Sequence, residues 1–114
     1  RDGVMDVAAG DSTVYALTNK GKVYAEGSNI YGQCQVGEWS GIVSIAAGTC
    51  HVVGLKADGT VVYAGNDSFG KVNVESWTDV VAISANAYHT LAITSDGTVL
   101  AAGSNEYGQC DVNQ

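Results

Sequence analysis

His51 and His89 stand 38 residues apart in the chain, and histidine is the side chain most readily drawn into proton transfer or metal binding near neutral pH. Either use needs partners. A general base needs a nucleophile or an acidic proton within hydrogen-bond reach, and a nucleophile needs its base. No carboxylate adjoins either histidine in sequence, and Asp58 and Asp96 fall in A-D-G-T and S-D-G-T, which read as turns. Asp and Asn in the loops do not follow the spacing of a calcium-binding loop. Cys34, Cys50 and Cys110 make an odd count with no C-x-x-C pair, so no zinc site is expected. Cys34 and Cys110 share a position that Val72 fills elsewhere, which reads as buried, unreactive thiols. Glu26 is the one charge in an otherwise apolar strand segment, V-Y-A-E-G. It reads as an exposed edge residue, with a site role as the alternative. No nucleophile–base pair and no phosphate-binding loop emerges. The expectation is a protein with no catalytic residue, no cofactor and no metal.

Binding is the chemistry these residue types favour instead. Tyr31, Phe69 and Tyr107 recur at one loop position, each just before a glycine and each after a residue that differs between copies, namely Ile30, Ser68 and Glu106. Recurrent aromatics in loops either pin the loop or form a contact patch of the kind enriched at interfaces. These six residues are the candidate partner-binding positions. Trp39 and Trp77 stand just before the second and third copies begin and are expected at the junctions between structural units.

The elements that must hold these residues follow from the repeat. Val80–Gly108 aligns with Ile42–Gly70 and Val4–Gly32 without a gap, at a period of 38 residues. Such a period marks units that bury their apolar surface only by stacking. Each copy opens on a short apolar run (VMDVAAG, IVSIAAG, VVAISAN) and continues with an alternating one (TVYALT, HVVGLK, HTLAIT). A turn centred on Gly21, Gly59 or Gly97 leads into a return run (KVYAEG, TVVYAG, TVLAAG). Period-two alternation with branched residues predicts strands, and the glycines predict hairpins needing φ > 0. A last extended piece is expected at QCQV (33–36), KVNV (71–74) and QCDV (109–112). Both faces of the second strand are apolar, and one is built of small residues: Ala16, Gly54 and Ala92. Sheets stacked face to face and converging on an axis fit that pattern, so the fold expected is all-β, with β-propeller blades.

The whole chain of 114 residues reads as one domain of three blades, about 1–38, 39–76 and 77–114. The net charge of −7, with only five Lys and Arg and no basic cluster, argues against nucleic acid as a partner. No apolar run is long enough to span a membrane as a helix, so no membrane partner is expected. The chain begins at Arg1 rather than Met, which suggests processing or excision from a longer propeller.

The segment A-x-x-H-T-L-A-I-T-S-D-G-T-V-x-A-x-G-S-N-x-Y-G-Q at 85–109 resembles the repeat of the regulator of chromosome condensation family. AGTCHVVGLKADGTVVYAGNDSFGK at 47–71 is similar. The compact 38-residue form resembles the bacterial version, one member of which is a secreted β-lactamase inhibitory protein. The resemblance implies a propeller, most often of seven blades, that binds proteins over one face. It also implies a structural histidine at positions 51 and 89, hydrogen-bonded within its own blade. Glu26, Ala64 and Ala102 stand where the eukaryotic repeat usually has Trp. The eukaryotic basic tail and wedge have no counterpart, so exchange-factor activity is not carried over. A secreted or cytoplasmic bacterial protein is implied, without a choice between them.

Three blades cannot close a ring, since propellers typically have four to eight. The expectation is therefore a protein-binding module whose first partner is itself. A homodimer with six blades is preferred and a trimer with nine is possible, alongside an unidentified protein partner. The alternatives are a structural self-assembling unit, a fragment of a longer propeller and, more remotely, a lectin-like sugar binder.

Overall fold

The structure, a computed structural model, describes residues 3–10, 13–27, 36–49, 51–65, 71–86 and 89–103. Each repeat forms one three-stranded antiparallel sheet in sequential order. The first contains β1 (Val4–Ala9), β2 (Thr13–Thr18) and β3 (Val23–Gly27). The second contains β4 (Ile42–Ala47), β5 (His51–Lys56) and β6 (Val61–Gly65). The third contains β7 (Val80–Asn86), β8 (His89–Thr94) and β9 (Val99–Gly103). The chain is all-β in architecture: a partial propeller of three blades.

Local chemistry fixes the hairpins. Gly21, Gly59 and Gly97 take φ of 75°, 87° and 88°, a region that side chains with a Cβ resist. In the second and third blades an aspartate locks the same turn. Asp58 Oδ1 accepts from the Thr60 amide at 3.0 Å and from its hydroxyl at 2.6 Å, and Asp96 Oδ1 accepts from the Thr98 amide at 3.0 Å. The Thr60 hydroxyl, followed by its amide, holds the Asp58 carboxyl below the ordinary carboxylate range. The Thr94 hydroxyl is the first cause of the same effect at Asp96.

One irregularity repeats. The β1–β2, β4–β5 and β7–β8 ladders each skip one residue, passing over Met5, Val43 and Val81. These bulge residues are exposed in all three blades, because a bulge turns its extra side chain out of the pleat.

Two cores lie between the three sheets. Tyr15, Leu17 and Val23 of the first blade meet Ile42, Ile45 and Val52 of the second. Val53, Leu55 and Tyr63 on the far side of that second blade meet Val80, Ala92 and Ala102 of the third. The innermost strands β1, β4 and β7 lie side by side, and the ends of all three line one hollow of about 300 Å³ that includes Gly10, Gly48 and Asn86. A Cβ on Gly10 would stand 2.5 Å from the Gly48 carbonyl oxygen, so the approach of the first two blades there requires glycine.

The extended piece expected at KVNV (71–74) is not a strand. Lys71–Val74 forms a single helical turn, α1. Four residues of alternating pattern suit either conformation, and tertiary packing decides. The turn packs beside β6 and β9 and delivers Val74, fully buried, into the second core. Val36, its counterpart, is buried in the first core. Residues 33–35 and 109–112 lie outside the described residues.

Candidate functional site

The surface that distinguishes this molecule is the blade face, and three equivalent residues define it. Val52 and Thr90 point toward the preceding blade and are 0% exposed, whereas Val14, at the same position in the first blade, is 57% exposed. The same holds for Val7, which is 69% exposed where Ile45 is 7% exposed. Both belong to one open trough of about 590 Å³ on the first blade, shared with Ala16, Tyr24 and Glu26. At the other end, Ile93 and Val99 form a cross-strand pair and are exposed. Their counterparts Leu55 and Val61 are buried in the second core. Each end of the arc therefore presents an apolar face that is covered everywhere inside it.

The inner junctions also carry polar detail. The Ile42 amide donates to the Gly21 carbonyl at 3.1 Å, and the Val80 amide donates to the Gly59 carbonyl at 2.9 Å. Each blade thus binds the hairpin of the one before through its first inner strand. At the second junction His51 Nε2 lies 3.0 Å from Thr90 Oγ1, and the imidazole stacks on Tyr63 with ring centroids 5.4 Å apart. This corrects the expectation of a hydrogen bond within the blade. Residues 51, 53 and 55 of β5 face the third blade, so the ring reaches across the junction. Burial, and then the nearby His89, depress the His51 pKa to about 4, so it is neutral at physiological pH.

His89 repeats the His51 position on the open face of the third blade. Its Nδ1 is buried and has no hydrogen-bond partner among the described residues. Glu26 is exposed on β3, where Ala64 and Ala102 are buried. Trp39 packs against the first core and Trp77 against the second; the Trp39 ring lies so close to Gly54 that a Cβ there would meet it at 3.0 Å. The loop positions Ile30, Tyr31, Ser68, Phe69, Glu106 and Tyr107, and the three cysteines, lie outside the described residues. Among the described residues, no group of three or more His, Cys, Asp and Glu is placed to hold a metal ion, and no helix is long and apolar enough to cross a membrane. What sequence reading missed is that His51 bonds across a junction. Comparing Val14, Val52 and Thr90 shows one position holding both valine and a hydroxyl, which is the only trace of it in the sequence.

The regulator of chromosome condensation (RCC1) repeat matches residues 4–33 and 80–109, together more than half of the chain. The chain belongs to the RCC1 repeat family. The middle copy lies between the two matched segments. No curated protein matches the sequence. Among solved structures, the RCC1-repeat arc is similar to Prp20p from Saccharomyces cerevisiae, at 24% identity and a TM-score of 0.75, over 94% of this chain and 32% of that one. It is similar to human WBSCR16 at 23% identity and a TM-score of 0.74, over 91% and 34%. The CRINKLY WD40 ectodomain of the Arabidopsis thaliana receptor kinase ACR4 matches at 19% and 0.73, over 88% and 38%. The RCC1-repeat chain thus spans about a third of each of these proteins.

Proposed function

We propose that this chain is a non-catalytic protein-binding module of RCC1 blades that closes head to tail with a second copy of itself. One observation carries the reading: the positions buried at both inner junctions are the ones exposed at the two ends. A blade face of this kind has a built-in occupant, another blade of the same plan. Apolar surface of such extent is removed from water at roughly 25 cal/mol per Å², and identical chains meeting through unlike faces form a closed ring when the rotation permits. Two copies give six blades, within the usual range for propellers; three copies give nine.

Partners other than itself are proteins. The structure of Prp20p was determined together with its binding properties toward Gsp1p and histones, and yeast RCC1 (Prp20) is also known bound to Kap60. Those partners belong to that protein, but they support protein recognition as the use of the scaffold. In the present chain the loop positions Ile30, Tyr31, Ser68, Phe69, Glu106 and Tyr107 are the proposed contact residues. Native mass spectrometry of the chain at micromolar concentration tests the closure. A dimer is expected, a trimer would change the blade count to nine, and a folded monomer would overturn self-association.

A further inference from the structure

Among the described residues, Glu26 is the one charged residue lining the open trough of the first blade. Covered by another blade, an unpaired carboxylate there would lose its hydration with nothing in return. The inner junctions indicate what would meet it. Thr90 and Ala102 form a directly opposed cross-strand pair on β8 and β9, and Thr90 is the residue that meets His51. The corresponding pair in the first blade is Val14 and Glu26, opposed on β2 and β3. Directly opposed residues project to the same face with Cβ atoms about 5 Å apart, a distance a glutamate side chain spans.

We propose that Glu26 of one copy pairs with His89 of the next across the closing junction, taking the role that the Thr90 hydroxyl plays toward His51. This rests on the head-to-tail closure proposed above and commits the trough to a second copy of this chain. Val14 offers no hydroxyl to a histidine, so a simple repeat of the inner contact would leave the ring of His89 facing a methyl group. The carboxylate at position 26 repairs that mismatch from the neighbouring strand. It also makes the closing junction chemically different from the two inner ones. The pairing of backbones continues the same pattern: the Gly97 carbonyl occupies the place of the Gly21 and Gly59 carbonyls, and the Val4 amide that of the Ile42 and Val80 amides.

Sedimentation velocity on the full chain, with a double-mutant cycle, tests the pair. Glu26→Ala and His89→Ala should each weaken the dimer about tenfold or more, and the double variant should be little weaker than either alone. Glu26→Ala installs the residue already found at positions 64 and 102, so the fold should tolerate it. Adding Val14→Thr to Glu26→Ala rebuilds the Thr90–Ala102 pair and should restore association, but only while His89 is present. Independent effects of the two single changes, or tighter association of Glu26→Ala, would overturn the pair while leaving closure standing. A parent chain that stays monomeric would remove both the pair and the closure it rests on.

Discussion

His51 is neutral because it is buried, and that has a direction in pH. Its pKa is about 4 in the folded chain against about 6.5 when unfolded, so between these values the unfolded chain binds the extra proton. Stability is therefore complete above about pH 6.5 and falls as the pH drops toward 4, by about 3 kcal/mol in the limit. Chemical denaturation at pH 7 and pH 5 should show the loss, and His51→Gln should reduce the difference. The partner can be tested separately. Thr90→Val keeps the packing shape, which Val52 already shows to fit this position, but removes the hydroxyl that His51 Nε2 meets in a buried junction. A loss of about 1 kcal/mol is expected; an unchanged melting temperature would mean that the contact contributes nothing.

The hairpins are where an element's conformation depends on single atoms. Gly59 has φ of 87°, and a Cβ there would also stand 3.2 Å from Asp79 backbone atoms of the next blade. Gly97 has φ of 88° but nothing within 4 Å. Gly97→Val should therefore lower stability by backbone strain alone, on the order of 1–2 kcal/mol, and Gly59→Val should cost more because it also pushes on the second junction. Thermal melts followed by circular dichroism should rank parent, Gly97→Val, then Gly59→Val. These turns were readable in sequence because left-handed backbone leaves a glycine at a fixed offset, and the strands because alternation is a local property. KVNV at 71–74 was not, since four alternating residues become a helical turn once Val74 must reach the core. Nor could the pattern at Val4 and Val7 alone tell that they stand exposed where Ile42 and Ile45 are buried. Alternation reports that a face is apolar and says nothing about which neighbour it meets, which is also why sequence reading places the His51 hydrogen bond within its own blade and not across the junction.

At the scale of the whole molecule, the two end faces should be separable by mutation. Val14→Lys places a charge in the trough, and Ile93→Lys places one on the opposite end. Each alone should give a folded chain that no longer closes. Mixed, the two variants retain one intact pair of faces and should form a weaker, open dimer, visible by native mass spectrometry as a species with one chain of each mass. Failure of the mixture to associate, with both variants folded, would argue that the faces do not meet each other.

The amide-to-carbonyl bonds from Ile42 to Gly21 and from Val80 to Gly59 give the arc a direction. Every blade offers a donor backward and a hairpin acceptor forward. If copies join as proposed, then in the language of step-growth polymers the chain would be an A–B monomer, able to add only donor end to acceptor end. Such a monomer cyclises when dilute and extends when concentrated, because the intramolecular closure competes with a second-order addition. A ring strained by an imperfect blade number would shift that crossover to lower concentration and let linear chains grow. An excess of Ile93→Lys chains, active only at the trough, would then act as a chain stopper and set the mean length by stoichiometry.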